Sequence, residues 1–113
     1  MVQLAAADKV FHALANPTRR KVLERLSAGP ATVSDLAAPF DMQLPSFVQH
    51  LAVLERSRLI TSKKRGRVRT YEIVPERFAV VDDWLTARRR QWEARLGRFD
   101  QYVRQLKEKE SES

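Results

Sequence analysis

Between Glu55 and Glu72 the chain carries Arg56, Arg58, Lys63, Lys64, Arg65, Arg67 and Arg69 with no acid among them, a third of its 21 basic side chains within fourteen positions. Fixed cations at that density suit a polyanion such as the phosphates of a nucleic acid. Just upstream stand Ser46, Gln49 and His50, whose side chains can hydrogen-bond base edges or phosphates, and Val53, which suits a thymine methyl. Bond-making chemistry is poorly supplied. The 113 residues contain no Cys and two His, His12 and His50, so no thiolate nucleophile, Ser–His–acid set or metal-ligand set can be assembled. The three glycines, at 29, 66 and 97, form no phosphate-cradling loop. Binding is therefore expected rather than catalysis, with no cofactor.

The elements that position these groups must fit a small frame. A length of 113 residues with 43% hydrophobic content is enough for one domain with a real core. The charge balance, 21 − 14 = +7, agrees with a nucleic-acid partner first and an acidic membrane surface second. No apolar run approaches the ~20 residues that span a bilayer. Asp8 and Lys9 interrupt the apolar stretch Leu4–Leu14, and no basic segment precedes it, so it does not read as a signal peptide. A soluble, untargeted, cytoplasmic protein without a membrane partner is expected.

Leu4, Ala7, Val10, Phe11 and Leu14 recur at helical spacing and predict a first amphipathic helix. Asn16 is a suitable N-cap and Pro17 a suitable first residue for a second helix over Pro17–Ser27, ended by Ala28-Gly29-Pro30. Thr32 with Asp35 resembles a capping box opening a short third helix over Val33, Leu36 and Ala37. A fourth helix is predicted over Leu44–Ser57, with Leu44, Phe47, Leu51 and Leu54 on one stripe and Ser46, Gln49, His50 and Val53 on the opposite one. Leu59–Lys64 and Val68–Val74 read as a hairpin turning at Arg65-Gly66-Arg67. A long helix follows from Pro75 to about Lys107, and the charged tail 108–113 is expected to be disordered.

The third and fourth helices form a helix-turn-helix: one stripe of the fourth anchors it on the domain, leaving the other for a major groove. The hairpin, with Lys63, Lys64, Arg65, Arg67 and Arg69, supplies a wing to grip phosphates. In the last helix Phe78, Leu85, Trp92, Phe99 and Leu106 recur every seven residues, flanked by Val81, Leu96, Tyr102 and Val103. A seam of roughly 30 residues, ~45 Å of helix, exceeds what a small winged domain covers alone. A dimer interface is expected from Leu4, Phe11, Phe78, Leu85, Trp92, Leu96 and Phe99; a helix folded over its own domain is the alternative. Arg88-Arg89-Arg90 and Asp82-Asp83 read as solvated helix faces.

The fold class so derived is mainly α with a small β-hairpin (α+β): a winged helix-turn-helix over residues 1–107, ending in a long C-terminal dimerisation helix. Three stretches, Leu14-Ala15-Asn16-Pro17-Thr18-Arg19-Arg20, Val33-Ser34-Asp35-Leu36-Ala37 and Leu44-Pro45-Ser46-Phe47-Val48-Gln49-His50-Leu51-Ala52-Val53-Leu54-Glu55, resemble the ArsR-type winged helix-turn-helix repressors. Arg65-Gly66-Arg67 and Tyr71 continue the resemblance, which covers roughly residues 8–107. It implies a homodimeric repressor joined through its first and last helices. Ser46, Gln49 and His50 then fall where base and phosphate contacts occur, and Lys64–Arg69 fall in the wing.

The departures from the family pattern concern metal. Metal-sensing members place two thiolates where this chain has Thr32 and Ser34, and a second family site pairs Asp with His along the last helix, which here has no His. The resemblance is thus to the metal-independent branch, and no metal is expected. His12 reads as a surface residue, and His50 as a DNA contact or the end of a polar face. Val48, at the stripe's edge, is expected to pack rather than read bases. The leading expectation is a regulator that binds double-stranded DNA at an inverted repeat. The alternative is a winged-helix protein-interaction module without operator specificity.

Overall fold

The order of elements in the computed structural model is α1 (Val2–Leu14), α2 (Pro17–Leu26), β1 (Ala31–Thr32), α3 (Val33–Ala37), α4 (Leu44–Arg56), β2 (Ile60–Arg65), β3 (Val68–Ile73), a 3-10 turn (Pro75–Phe78) and α5 (Ala79–Glu112). The structure describes residues 2–112 and side chains from Ala5 to Ser111, so the side chain of Leu4 lies outside the described residues. Two compact units are present, one reaching Val81 and one beginning at Asp82.

Local signals set the helix starts. The Asn16 side chain accepts from the Arg19 N–H at 3.2 Å while Pro17 occupies the first turn, where its missing N–H leaves no bond unmade. Both halves of the Thr32–Asp35 capping box form, so five residues suffice for α3.

Helix α4 ends in a Schellman motif, with Leu59 N–H donating to the Leu54 carbonyl at 3.2 Å and Arg58 N–H to that of Glu55 at 3.0 Å. The motif requires a left-handed residue, and Arg58 takes it at φ 66°. Arg58→Gly removes that strain and gives back part of the gain to the unfolded chain; a net stabilisation of about 0.5–1 kcal/mol is expected, seen as a rise of ~2–6 °C in Tm.

The core of the first unit draws on each of its layers: Val10 and Ala13 of α1, Val22 and Leu26 of α2, Leu36 of α3, Phe47, Leu51 and Leu54 of α4, and Leu59, Ile60 and Tyr71 about the sheet. Each large apolar side chain buried here contributes ~1.5–3 kcal/mol. Phe40 packs on Phe47 at a ring-centroid distance of 5.3 Å, tying the turn after α3 to α4.

The predicted hairpin forms with Arg65 opposite Val68, and Gly66, at φ 61°, takes the first central position, where a two-residue turn of the primed type needs a positive φ. The sheet has a third strand that the sequence reading lacks. β1 pairs antiparallel with β3, Ala31 opposite Tyr71 and Thr32 opposite Thr70, giving the order β1-β3-β2. Two residues are too few to show alternation; only β3 beside them makes them a strand. Their pairing fixes the start of α3 to the inner strand of the wing.

Two further expectations change. Residues 75–78 form a 3-10 turn rather than the start of the long helix. Helix α5 continues to Glu112, past the predicted end near Lys107, so the tail expected to be disordered is helical through Glu112. Residues 107–112 hold no Gly or Pro, and their Lys and Glu side chains favour helix.

Candidate nucleic-acid interface

Helix α4 buries Phe47, Leu51 and Leu54 completely, but the buried arc extends further to one side than the sequence stripe suggests. At about 100° per residue, His50 and Val53 lie on one flank of that arc and Leu44 and Val48 on the other. The first flank is covered at its C-terminal end, by α1, and only half-covered at His50. Val53 is half-buried against the core, and it lines, with Lys9, His12, Arg56 and Ser57, a cavity of ≈ 220 Å³ between α1 and the end of α4. The second flank is turned out, leaving Leu44 55% and Val48 43% exposed.

The correction is specific. Val53 faces α1 and is half-covered, whereas Val48, expected to pack, is exposed on the other flank; exposed Ser46 lies on the flank of Val53 two turns earlier, and exposed Gln49 lies between the two flanks. Leu44 also leaves the core stripe. It is the first residue of α4, and the helix has not yet reached the core there.

His50 is half-buried, and its Nδ1 lies 3.1 Å from Nη1 of Arg19. Arg19 is itself buried: Nε donates to the Ala13 carbonyl at 2.8 Å and Nη2 to that of His12 at 2.9 Å. Arg20 adds a bond to the Leu14 carbonyl at 2.7 Å. Two guanidinium groups thus satisfy the last carbonyls of α1, where the helix dipole favours cations. Sequence reasoning missed this role of Arg19. An Arg two positions after a helix-opening Pro is an ordinary surface residue in sequence, and only the approach of α1 to α2 buries it.

Burial first, and the Arg19 charge second, hold the His50 imidazole below its ordinary 6.5. A histidine harder to protonate when folded adds its full stability above pH 6.5 and loses it as pH falls through that value toward the folded pKa. Urea unfolding between about pH 7.5 and about pH 5 is therefore expected to show a smaller loss of stability in His50→Gln than in the wild type.

The wing is joined to the end of α4 by a chain of polar contacts. Arg69 Nη1 donates to Ser62 Oγ at 2.8 Å, and Ser62 Oγ donates to Glu55 Oε2 at 3.3 Å. Burial, then the Glu55 charge, raises the Tyr71 pKa above its ordinary value. Glu55, the acid at one edge of the basic stretch, is thereby the post to which the hairpin is fixed.

Beyond that post Lys63, Lys64, Arg65, Arg67 and Arg69 are exposed. Among the described residues Lys63, Lys64, Arg65 and Arg67 make no ion pair. Lys64 stands directly opposite Arg69 in the ladder. Like charges in cross-strand register destabilise a sheet, and an anion bridging them removes the penalty.

Of the other predicted residues, Phe11 is half-buried in α1, and Phe78 lies in the 3-10 turn, half-buried against the core. Phe78 is therefore removed from the exposed helical seam. On α5, Leu85, Trp92 (52% exposed), Leu96 and Phe99 (66% exposed) are open. The Thr32 hydroxyl is occupied in the cap of α3, Ser34 is exposed, and among the described residues no three His, Asp or Glu side chains gather to hold a metal ion. No helix among the described residues is long and apolar enough to cross a membrane.

Comparison with known proteins agrees with this geometry. Residues 14–63 match a helix-turn-helix domain family. The HTH-type transcriptional regulator Rv2034 of Mycobacterium tuberculosis is 38% identical over 74 residues, 66% of this chain and 69% of that protein. The transcriptional repressor SdpR of Bacillus subtilis is 35% identical over 58% of this chain and 73% of its own length. Among solved structures, the ArsR family transcriptional regulator RHA00566 is similar with a TM-score of 0.73 and 55% identity, covering 80% of this chain and 91% of that one. An ArsR-like transcriptional regulator from Rhodococcus sp. RHA1 is similar at a TM-score of 0.77 and 26% identity, over 89% and 95% of the two chains.

Proposed function

Because the chain belongs to the ArsR-type family of winged helix-turn-helix transcriptional regulators, which bind DNA and are not enzymes, we propose that it is a homodimeric repressor reading an inverted repeat. The observation that carries this reading is the pairing of an outward α4 face with a ribbon of cations that form no ion pair among the described residues. Ser46, Gln49 and His50, with Val48 in the apolar role first given to Val53, contact base edges in the major groove. Lys63, Lys64, Arg65, Arg67 and Arg69 hold phosphates beside it, the Lys64–Arg69 pair gripping one between them.

The α5 seam supplies the partner. Leu85, Trp92, Phe99 and Leu106 leave an apolar face at heptad spacing, and a second copy of this chain is what covers it. Leu96 extends the same seam along α5. Two-fold symmetry then sets the two α4 helices about one DNA turn, ~34 Å, apart and makes the operator palindromic. Without thiolates, and with the Thr32 hydroxyl engaged in a cap, regulation is independent of soft metals; the site of action is the cytoplasm.

Selecting bound duplexes from a random library, with the mass of the complex measured alongside, tests the whole reading. A two-fold symmetric motif carrying two protein copies is the expected result. A bound pool with no enriched sequence overturns it in favour of a protein-interaction module.

A further inference from the structure

Arginine has no lone pair to offer, so in the Arg19–His50 contact the guanidinium donates and Nδ1 accepts. An imidazole whose Nδ1 is held as an acceptor carries its one proton on Nε2. That nitrogen is on the opposite edge of the ring and makes no hydrogen bond to any described residue. The holder is rigid: two of the three Arg19 nitrogens are committed to the end of α1, and the side chain is 8% exposed. The tautomer of a residue on the reading helix is thus determined by a different helix, α2.

We propose that Arg19 holds His50 as the Nε2–H tautomer and so makes it a single-donor probe for the acceptor edge of a guanine in the major groove. This rests on the DNA-reading assignment above and adds a base identity to it. The guanine edge presents N7 and O6, both acceptors, whereas adenine sets an amino donor beside N7, cytosine presents only an amino donor, and thymine crowds O4 with its methyl. A side chain that only donates leaves an amino group unpaired, which a recognition site penalises more than it rewards a good contact. Burial and the neighbouring cation both disfavour a second ring proton, so the probe stays neutral at neutral pH and adds no charge of its own to the phosphate attraction. Arg19 acts here as a positioning residue and touches no base.

The test has a spectroscopic arm and a DNA arm, both on the full chain. With two histidines present, His12→Gln leaves His50 alone in a long-range nitrogen–proton NMR spectrum. The expected spectrum shows a pyridine-like Nδ1 and a protonated Nε2, and Arg19→Lys shifts the population toward the other tautomer. A protonated Nδ1 in the Arg19-intact protein overturns the proposal. In the DNA arm, duplex selection with wild type and His50→Ala is expected to differ at one position per half-site, a guanine that becomes degenerate in the variant. Placing 7-deazaguanine there weakens wild-type binding about 3–10-fold and leaves His50→Ala unchanged. Loss of preference for another base, or for none, overturns the proposal while operator binding stands. Failure of both proteins to select any sequence overturns the DNA-reading assignment itself. Should Arg19→Lys fail to fold, the His50→Ala comparison decides alone.

Discussion

Replacing Lys64, Arg65 and Arg67 together by Ser is expected to weaken binding to every duplex alike and to flatten its dependence on salt. Each phosphate contact releases condensed counterions and adds about 0.9 to the slope of log affinity against log salt. Three lost contacts lower that slope by roughly 2.7, so between 50 and 200 mM salt the wild type loses about 40-fold more affinity than the variant. These side chains are exposed, lie near the hairpin tip and join no ion pair among the described residues, so the fold has little to lose by their removal. Arg69 is left in place because its contact with Ser62 belongs to the chain of bonds that fixes the wing to α4. Fluorescence anisotropy across a salt series, with the selected operator and a scrambled duplex, gives both quantities. An unchanged slope refutes the wing as a phosphate grip; a changed base preference shows that these residues read sequence instead.

Trp92→Glu is expected to disrupt the proposed dimer. In a two-fold interface the substitution enters twice, and a central aromatic is worth at least ~2 kcal/mol on each side, so dimerisation weakens about a thousandfold. The substitution leaves helix formation intact, since Glu favours helix more than Trp and position 92 is half exposed in the isolated chain. Sedimentation equilibrium at micromolar concentration reads the effect directly, with unchanged helical circular dichroism as the control. Operator affinity falls with it, because a lone subunit meets one half-site. A Trp92→Glu protein that remains fully dimeric at that concentration moves the interface off the α5 seam. The same experiment on Phe78→Glu is expected to lower stability rather than dimerisation, because Phe78 packs against the core of its own unit.

The features legible in the sequence are those whose physics is local. Asn16 and Pro17 start α2, and Thr32 with Asp35 caps α3, by bonds spanning three residues. Gly66 turns the hairpin because its own φ is positive. Phe47, Leu51 and Leu54 enter the core because 3.6-residue periodicity puts them on one side of α4. The family was legible for the same reason, since its motifs lie along the chain.

The candidate site was legible in composition and order, but not in which way its side chains face. Periodicity assigns a stripe and its opposite, yet leaves the width and tilt of the buried arc to whatever packs against the helix. Here α1 and α2 take up one flank of α4, drawing in Val53 and His50, and leave Val48 and Leu44 in the open. Strand β1 exists only because β3 lies beside it, and Arg19 is buried only because α1 ends above it. By itself, then, the sequence determined the elements, their order, the cationic wing and the heptad stripe, all of which follow from residue type and near-neighbour geometry. The tertiary structure decided the rotation of α4 and the contact of His50 with Arg19, because both depend on contacts between residues far apart along the chain, His50 and Arg19 being 31 positions apart.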